Sequence, residues 1–456
     1  MPRCRLRRLL CFCVCLPCLL VGNLFIYVTV SVCMSMSMFR PPQQLPDLFI
    51  APGASETEAQ GRHPVKPFWD LQPGGGALWN RLQLEWDRKH NPILGGTEPR
   101  AEGGGEGWVA SPVGPDCHWD RSLASGMPDF GNLPGHIQEF VFSMHCREYP
   151  LLTDQPGTCG TTGQEAPMLL LAIKSEEGNF ENRQAIRQTW GQTGWVRGLE
   201  GEGGEVRRVF LLAKQDSATG PYADVAELLE LEKVRYQDIL QWDFKDTFYN
   251  LTLKDVLFLR WFSNRCPRAR FVFKGDDDVF VRTPVLLDFL AEQEVGQRPG
   301  REMRDFFVGD VIGNAVPLRQ ASTKYYIPES FYKGQYPWYA GGGGVVYSGA
   351  MALRLRQVSE RVRLFPIDDV YMGMCLRRLG LSPIHHHGFL TFDFQGEDGD
   401  KPCAYHSILL VHKRGPKDML RLWEVLKMPR PDCANHTKAL LRVDLPVKAT
   451  LEGSGH

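Results

Sequence analysis

Several features that mark common classes of protein are absent from this sequence. The 456 residues carry 52 Lys and Arg against 53 Asp and Glu, so the formal net charge is −1. Because no charge of one sign dominates, the chain has no electrostatic basis for binding nucleic acid. The phosphate-binding pattern Gly-x-x-x-x-Gly-Lys-Ser/Thr is missing. The cysteines after residue 40 contain no Cys-x-x-Cys pair, which argues against a structural zinc site.

A long stretch without charge lies near the N-terminus. Leu9–Phe39 contains no charged residue and follows an opening that carries Arg3, Arg5, Arg7 and Arg8. A membrane-spanning helix needs about 20 apolar residues, whereas the core of a signal peptide needs about 7–15. The length favours a signal-anchor; a cleaved secretory signal is the alternative. Because basic residues stay cytoplasmic, the rest of the chain should lie in the lumen of the secretory pathway.

Composition divides the remainder of the chain. Glycine-rich segments broken by proline follow the apolar stretch and are typical of a flexible stem, although Trp69, Trp79 and Trp86 indicate short docked pieces. From Cys117 the sequence is typical of a globular domain. The predicted segments are a cytoplasmic tail at 1–8, a transmembrane signal-anchor at 9–38, a stem at 39–116, a luminal domain at 117–447 and a tail at 448–456.

The cysteines of the luminal part predict disulfides. In an oxidising compartment seven cysteines should pair and leave one over, and their spacing leaves the pairing open. The seven are Cys117, Cys146, Cys159, Cys266, Cys375, Cys403 and Cys433. Asn250 in "NLT" and Asn435 in "NHT" are predicted glycosylation acceptors. Asn250 lies in a motif-rich segment, so a purely structural asparagine is the alternative there.

Apolar runs alternate with helical periods inside the luminal domain. The predicted strands are "MLLLAIKS" (168–175), "RRVFLLA" (207–213) and "RFVFK" (270–274), and the predicted helices lie at 179–191, 224–234 and 247–266. This recurrence predicts an α/β domain with a mostly parallel sheet and helices on both faces. Ligands of such sheets bind outside the carboxyl ends of the strands.

Three adjacent carboxylates follow one of these strands directly. Asp276, Asp277 and Asp278 in "FVFKGDDDVFV" come after the strand at 270–274. Clustered carboxylates repel one another unless a counter-charge relieves them, and a hard divalent cation such as Mg²⁺ or Mn²⁺ prefers oxygen ligands. The triplet therefore predicts a metal site; a solvated acidic turn is the alternative.

A second informative stretch combines aromatic residues with glycine. Residues 324–355, "KYYIPESFYKGQYPWYAGGGGVVYSGAMALRL", are crowded with Tyr, Phe and Trp before the run Gly341–Gly344. Aromatic faces stack on sugar rings, and a glycine run lets the backbone approach a ligand closely. This pattern is compatible with a sugar-binding site and equally with an ordinary hairpin.

The third stretch is "FPIDDVYMGMCLRRLG" (365–380), whose helical spacing predicts that Asp368 and Asp369 open a helix. One Asp suffices to cap a helix, and the second is a candidate general base. His412 ends an apolar strand in "ILLVHKRG" and is either a ligand or a packed residue. Consecutive residues point in different directions, so we do not predict a metal site at His385–His387.

These stretches together resemble a known family. The Asp triplet, "KYYIPE", "YPWYAGGGG", "FPIDDVYMGMCL" and "LLVHK", with "RQAIRQTWG" and "DFKDTFYNLTLK" upstream, are similar in order and separation to the Golgi β-1,3-glycosyltransferases. In detail, the sequences of these motifs are most similar to those of the β-1,3-N-acetylglucosaminyltransferases that build poly-N-acetyllactosamine. The resemblance covers about Cys117–Cys433. It implies a nucleotide-binding glycosyltransferase fold of A type, with 117–447 as the catalytic domain.

The resemblance also implies roles for individual residues. The implied catalytic base is Asp369, and the implied ligands of Mn²⁺ are Asp278, His412 and Asp276. Donor binding is expected from Arg183, Arg187, Lys254, Asp276, Asp277, Gly342 and Gly343. Acceptor binding is expected from Tyr326, Trp338, Tyr339 and Asp368.

The implied reaction is an inverting transfer of GlcNAc from UDP-GlcNAc, in β-1,3 linkage, to a galactose-terminated glycan. The implied setting is the Golgi membrane, as a single-pass type II protein, with a homodimer or a heterodimer with related transferases as an option. Two alternatives stay open. One is a galactosyl- or N-acetylgalactosaminyltransferase on the same fold; the other is a non-catalytic glycan-binding or activator protein.

Overall fold

The computed structural model describes residues 76–90, 117, 119–160, 166–215, 223–295, 303–401, 403–428 and 430–441. The chain divides into a unit of Met1–Leu48 and a unit of Phe49–His456, and all described residues belong to the second. The predicted anchor and C-terminal tail lie outside the described residues, as does most of the predicted stem. Among the residues that are described, no helix has the length and apolar character needed to cross a membrane.

Helices and strands alternate along most of the described chain. The helices are α1 (Leu78–Lys89), α2 (Gly135–Ser143), α3 (Phe180–Gln188), α4 (Ala223–Tyr236), α5 (Leu251–Arg265), α6 (Thr283–Val295), α7 (Gly349–Ser359), α8 (Asp368–Arg378), α9 (Pro416–Lys427) and α10 (Ala434–Leu441). The strands are β1 (Leu151–Thr153), β2 (Leu169–Lys174), β3 (Gly194–Val196), β4 (Gly204–Lys214), β5 (Ile239–Lys245), β6 (Phe271–Asp276), β7 (Phe280–Val281), β8 (Phe307–Gly309), β9 (Val311–Ile312), β10 (Tyr339–Ala340), β11 (Gly344–Ser348), β12 (Ile384–His385), β13 (Phe389–Leu390) and β14 (Leu410–Val411).

The main sheet positions the site through its strand order, which is β1-β5-β4-β2-β6-β11-β8-β12, with β3 paired to β4. The chain runs from β2 outward to β4 and β5, and then returns to the other side of β2 as β6, all four strands being parallel. The order therefore reverses between β2 and β6. In open α/β sheets the crevice at such a reversal, beyond the carboxyl ends of the strands, is where ligands bind.

Both faces of the sheet are covered. Leu170 and Ala172 of β2 belong to a buried cluster that includes residues of α1, α2, α5, α7 and α8. Leu169, Leu171 and Ile173 belong to a second cluster, which includes residues of α3, α4, α6, α9 and α10. This alternation follows from the two-residue repeat of a strand. It explains why all six residues of β2 are buried and why the strand reads as a continuous apolar run in the sequence.

The predicted parallel orientation holds for β5, β4, β2 and β6 and for the edge pair of β8 and β12, but the sheet is not parallel throughout. β11 runs antiparallel to both β6 and β8, and β1 and β3 are antiparallel to their neighbours, so the sheet is mixed. All five residues of β11 are buried. Burial on both faces removes the apolar–polar alternation that marks many antiparallel strands, so the sequence pattern carried no information about the direction of β11.

Three disulfides join Cys117 to Cys146, Cys159 to Cys266 and Cys403 to Cys433. The remaining cysteine of the luminal part, Cys375, is unpaired and buried in α8. The prediction of disulfides with one cysteine left over is therefore confirmed, and the structure supplies the pairing that spacing left open.

Candidate active site

The crevice between β2 and β6 is bridged by a buried lysine. Lys174 and Asp276 are the last residues of their strands and are register partners. The Lys174 ammonium lies 3.0 Å from Asp276 Oδ1 and 2.5 Å from Asp368 Oδ2. Burial works against the charged form, but the carboxylates of Asp276 and Asp368 outweigh it and raise the pKa of Lys174. Lys174 thus stays charged and connects the end of β6 to the start of α8.

The three adjacent carboxylates point to different partners. Asp276 faces Lys174 and lies 4.0 Å from His412 Nε2, and Asp278 Oδ1 lies 3.1 Å from the same nitrogen. Asp277 turns away from both, because its carboxylate accepts hydrogen bonds from Ser175 Oγ at 2.5 Å and from Asn179 Nδ2 at 3.0 Å. The alternation of a strand end thus separates one inward carboxylate from two that share a site.

Asp277 is the buried member of the triplet. Its burial, with the neighbouring negative charges of Asp276 and Asp278, raises the pKa of Asp277 to about 6 against the hydrogen bonds that lower it. Asn182 also donates from its amide to the Asp277 carbonyl. Asp277 therefore ties the rim of β6 to the first turn of α3. Its predicted role in donor binding stays a prediction.

His412 completes a set of groups suited to a metal ion. A ligand atom each from Asp276, Asp278 and His412 can be chosen so that all lie within 4.8 Å of one another. His412 Nδ1 is 3.1 Å from the Thr391 carbonyl, so a proton on Nδ1 leaves the Nε2 lone pair directed at two carboxylates. Burial lowers the pKa of His412, but the hydrogen bond and charge of Asp278 outweigh burial and raise it.

Either a proton on Nε2 or a divalent cation would offset the negative charge of the two carboxylates. Two carboxylates and a neutral imidazole oriented by a backbone carbonyl form a donor set that Mn²⁺ accepts. The donor set therefore fits the metal implied by the resemblance. Two other groups of metal-ligating residue types occur in the described part of the chain, but each contains a disulfide pair: Cys117–Cys146 and Cys403–Cys433.

The run of three histidines has a different environment. His385 ends β12 and is exposed, and its Nδ1 accepts a hydrogen bond from the Val311 amide at 3.1 Å. His386 is buried, where it bonds to the Leu440 carbonyl and accepts from the Gly388 amide. The side chains of His385 and His386 thus point in different directions, as the strand geometry requires.

Two adjacent aspartates begin α8 and have opposite surroundings. The N-cap residue is Ile367, so neither Asp occupies the cap position. Asp368 is buried against Lys174, and Lys274 Nζ lies 4.0 Å away. These two ammonium groups outweigh burial and lower the pKa of Asp368 to about 2. Burial and the Asp368 charge instead raise the pKa of Asp369 well above its ordinary value.

Asp369 is the only half-buried residue in the first turn of α8, and it faces the glycine run. A Cβ placed on Gly342 would lie 2.8 Å from Asp369 Oδ2, and one on Gly343 would lie 3.1 Å from the Cβ of His412. The absence of side chains at Gly342 and Gly343 therefore lets one backbone segment pass close to both groups. The glycine run brings the α8 carboxylate and the cation-site histidine to the same loop.

The aromatic side chains predicted near a sugar differ in exposure. Trp338 is 50% exposed and lies against Gly313, where a Cβ would be 3.1 Å from the indole ring. Tyr339 is partly buried; burial and the Asp369 charge raise the pKa of its hydroxyl to about 12, so it stays protonated. Tyr326 packs partly into the core, whereas the adjacent Tyr325 is 42% exposed and contacts Phe248.

Comparison with known proteins places this geometry in a family. The sequence profile of the galactosyltransferase family matches residues 181–387. N-acetyllactosaminide β-1,3-N-acetylglucosaminyltransferase 2 of Mus musculus is 44% identical over 374 residues, which cover 81% of this chain and 89% of the relative. The Homo sapiens protein of the same name is 41% identical over 417 residues, with 91% and 97% covered. The chain belongs to the β-1,3-glycosyltransferase family.

The resemblance inferred from the motifs is thus confirmed, and the protein is a glycosyltransferase. N-acetyllactosaminide β-1,3-N-acetylglucosaminyltransferase 4 of Homo sapiens is also similar, at 45% identity over 66% of this chain and 75% of the relative. Among solved structures, the galactosyltransferase LgtC is 12% identical with a TM-score of 0.28, over 59% of this chain and 99% of that chain. A likeness this low carries no argument about the fold.

Three basic residues of the glycosyltransferase that were predicted to bind the donor lie in buried ion pairs. Arg183 bonds to Glu232 at 2.6 Å and Arg187 to Asp238 at 2.8 Å. Lys254 Nζ donates to Asp246 and to the Ser175 carbonyl, both at 2.8 Å. The side chain of Arg183 has no exposed surface. Direct donor binding by these three residues stays a prediction.

The two predicted glycosylation acceptors differ in their surroundings. Asn250 precedes α5, and its amide donates to the Lys245 carbonyl at 2.9 Å. Asn435 is exposed on α10, while Thr437 of the same acceptor sequence is buried and donates to the His406 carbonyl at 3.1 Å. The hydrogen bond of Asn250 is compatible with the alternative that this asparagine has a purely structural role. Glycosylation of either site stays a prediction.

Sequence reasoning missed the lysines that hold this glycosyltransferase's carboxylates apart. Besides Lys174, the side chain of Lys274 is buried and its ammonium lies 2.5 Å from Asp255 Oδ2. Lys174 ends β2, whose other residues are apolar, and Lys274 directly follows the apolar residues Phe271–Phe273 within β6. A lysine at the end of a buried strand requires an anionic partner. That requirement was a usable signal for a carboxylate site at this edge of the sheet.

Proposed function

We propose that the protein transfers GlcNAc from UDP-GlcNAc in β-1,3 linkage to the terminal galactose of glycan acceptors, with inversion and with Mn²⁺, and so extends poly-N-acetyllactosamine. The names of the similar transferases support the linkage and the sugar. The observation that carries the proposal is the pairing of Asp369 with the Asp276, Asp278 and His412 cluster across one glycine loop. An inverting transfer needs one base and one site for the leaving diphosphate.

Asp369 takes the proton of the acceptor 3-hydroxyl as that oxygen attacks the anomeric carbon. Burial and the adjacent Asp368 carboxylate raise the pKa of Asp369, which makes its carboxylate a stronger base. Lys174 and Lys274 hold Asp368 in the ionised form on the other side of the helix start. The Tyr339 hydroxyl, which stays protonated beside Asp369, is available to donate a hydrogen bond to the acceptor.

Asp278, His412 and Asp276 would hold the Mn²⁺ ion in this proposal. When bound, a divalent cation supplies Lewis-acid stabilisation of the negative charge on the leaving diphosphate. Thr391 orients His412 for that role by accepting from Nδ1. Asp278 is ready to serve as a ligand because the hydrogen bond with His412 outweighs burial and lowers the pKa of Asp278.

The remaining predicted residues act around these groups. The backbone of Gly342 and Gly343 lines the space between base and cation site, and Trp338 and Tyr326 flank the acceptor. In this proposal the remaining predicted residues stabilise the surroundings of the site through buried ion pairs and hydrogen bonds. They are the predicted donor-binding residues Arg183, Arg187, Lys254 and Asp277 and the predicted acceptor-binding residue Asp368. The uncharged segment at 9–38 supports a single-pass type II location in the Golgi membrane.

A screen of donors against acceptors tests the proposal. UDP-GlcNAc, UDP-galactose and UDP-N-acetylgalactosamine are each incubated with lactose and with N-acetyllactosamine, and the linkage of any product is determined. We expect a β-1,3-linked GlcNAc product with N-acetyllactosamine. The Asp369→Asn variant should lose about 10²–10⁴-fold in turnover because it cannot accept the proton. Preferred use of UDP-galactose or UDP-N-acetylgalactosamine would support the alternative transferase and contradict this one.

A further inference from the structure

The helix α1 lies in the segment predicted as a flexible stem, yet it packs on the catalytic domain. Ala77, Leu78, Trp79, Asn80 and Gln83 are all buried. We propose that α1 is a positioning element of the active site, which fixes the two chain segments that carry the acceptor-side residues and lead into Asp369. The proposal rests on the proposed function of Asp369, and it assigns to the membrane-proximal region a role beyond that of a tether.

The first anchored segment is 361–364, which precedes α8. Gln83 makes a two-point contact there: its amide nitrogen donates to the Arg361 carbonyl at 2.9 Å, and its amide oxygen accepts from the Arg363 amide at 2.8 Å. Trp79 Nε1 donates to the Leu364 carbonyl at 3.1 Å. Only four residues separate Leu364 from Asp369. The position of the base therefore depends on a segment whose backbone groups are satisfied by α1.

The second anchored segment is 330–333, within the aromatic stretch. The backbone amides of Leu78 and Trp79 donate to the carbonyls of Ser330 and Phe331, each at 2.8 Å. Asn80 repeats the two-point contact, because its amide group donates to the Lys333 carbonyl at 2.7 Å and accepts from the Lys333 amide at 3.1 Å. This segment leads directly to Trp338 and Tyr339. One helix thus contacts two chain segments, 330–333 and 361–364, which lead to Trp338 and Asp369 respectively.

The chemistry of these contacts favours positioning over simple packing. Apolar burial is non-directional, and a helix that only covered a core could present Leu at the positions of Asn80 and Gln83. Buried amides that use both donor and acceptor groups fix a register and cost stability if the register shifts. The indole of Trp79 adds edge contacts with Tyr332 and Phe365 at centroid distances of 5.5 and 5.8 Å. Asp87 holds Arg378, the last residue of α8, at 2.5 Å.

The cation side of the site is built differently. Asp276 belongs to β6, Asp278 follows it, and His412 follows β14, which pairs with β7. These strands belong to the sheets rather than to the segments that α1 contacts. Loosening α1 should therefore disturb the base and the acceptor residues while leaving the diphosphate side in place. A loss of turnover with unchanged affinity for UDP would therefore distinguish a displaced base from general destabilisation of the protein.

The test uses the full chain with two variants of α1 and two controls. Gln83→Met and Asn80→Leu remove the two-point contacts but keep side-chain volume and an apolar helix face. Lys89→Met changes an exposed residue of the same helix. Leu229→Ala removes buried apolar volume from α4 on the opposite face of the sheet, and so lowers stability without touching α1 or the site. Turnover, acceptor KM, UDP affinity with Mn²⁺ and backbone hydrogen exchange are measured for each.

We expect kcat/KM for the acceptor to fall about 10-fold to 100-fold in Gln83→Met and in Asn80→Leu, because a small displacement of a positioned catalytic group lowers the rate by such factors. Hydrogen exchange should accelerate at 361–369 in Gln83→Met and at 330–333 in Asn80→Leu, with UDP affinity unchanged. Lys89→Met and Leu229→Ala should keep wild-type kinetics when corrected for folded protein.

Unchanged exchange at 361–369 and 330–333 in both α1 variants would overturn the proposal. So would a loss of UDP affinity that parallels the loss of turnover, because that pattern marks general destabilisation. If the wild-type protein transfers no GlcNAc, the proposed function fails. The exchange data then still decide whether α1 positions these two segments: faster exchange supports that role, and unchanged exchange rejects it.

Discussion

Asp276, Asp277 and Asp278 are identical side chains in consecutive positions, and their partners give them different properties. Asp277 is hydrogen-bonded to Ser175 and Asn179 inside the protein, and its pKa is raised to about 6. Asp278 faces His412 and has a lowered pKa. The residue type predicts a carboxylate site, but only the neighbours determine which carboxylate is available to a cation.

Lys174 is the residue whose loss should cost the fold most at this site. Its ammonium is buried between Asp276 and Asp368. Lys174→Met leaves Asp368 buried with one fewer counter-charge, and breaking a buried pair in this way destabilises by about 3–5 kcal/mol. The matched control is Lys214→Met, which breaks an exposed pair with Asp243 at 2.8 Å and should cost about 0–1 kcal/mol.

Denaturant unfolding of Lys174→Met and Lys214→Met measures the difference. A free energy of unfolding that falls equally in both variants would show that the Lys174 pair contributes no more than a surface pair. Turnover should fall in Lys174→Met alone, because the ammonium also fixes the start of α8 beside Asp369.

At the scale of elements, most helices and buried strands follow from the sequence. The strand predicted at 168–175 is β2, and the helix predicted at 179–191 contains α3. Their ends coincide with polar residues that interrupt an apolar pattern. The direction of β11 did not follow, because a strand buried on both faces has no alternation to read. The docking of α1 followed only in outline, from tryptophans in a glycine-rich region.

The glycine run gives an element-scale prediction. A Cβ on Gly342 would lie 2.8 Å from Asp369 Oδ2, which is closer than real contacts allow, so Gly342→Ala must displace the base. We expect turnover to fall by about 10²-fold, because a shift of about 1 Å at a reacting group costs that much. Affinity for UDP in the presence of Mn²⁺ should fall less than turnover, because Asp276, Asp278 and His412 are unchanged.

Gly131→Ala is the control, since a Cβ on Gly131 would meet no atom within 4 Å. It should behave as wild type in steady-state kinetics. Full activity of Gly342→Ala would mean that the backbone of the glycine run does not determine where Asp369 lies.

At the scale of the whole molecule, pH should act through a buried histidine outside the site. Burial lowers the pKa of His386 from 6.5 to about 4. Below pH 6.5 the unfolded chain therefore binds a proton that the folded protein excludes, and stability falls as the pH drops towards 4. The loss over that window is about 3 kcal/mol, from a shift of about 2.5 pKa units.

Urea unfolding at pH 7 and at pH 4.5 measures this loss. The His386→Gln variant should be less stable at pH 7 but should lose less on acidification, because glutamine has no proton to gain. An identical pH dependence in the variant and the wild type would assign the acid sensitivity to other groups.

The site as a whole could be predicted in its chemistry but not in its assembly. The sequence singled out Asp369, His412 and the Asp triplet as candidates on the basis of residue type and position. Lys174 and Thr391, which hold these groups in place, became visible only when distant segments were brought together. Ion pairs such as Arg183–Glu232 join residues 49 positions apart, and no local pattern names such partners.

Titration calorimetry of UDP with the purified protein measures whether Asp276, Asp278 and His412 form a cation site that binds the nucleotide diphosphate. With Mn²⁺ present we predict measurable affinity for the wild type and for Asp369→Asn, because the base does not hold the diphosphate. Affinity should disappear with EDTA and in Asp278→Ala, which removes one carboxylate of the cation site. Equal affinity for UDP with Mn²⁺, with EDTA and in Asp278→Ala would show that no cation held by Asp278 binds the diphosphate.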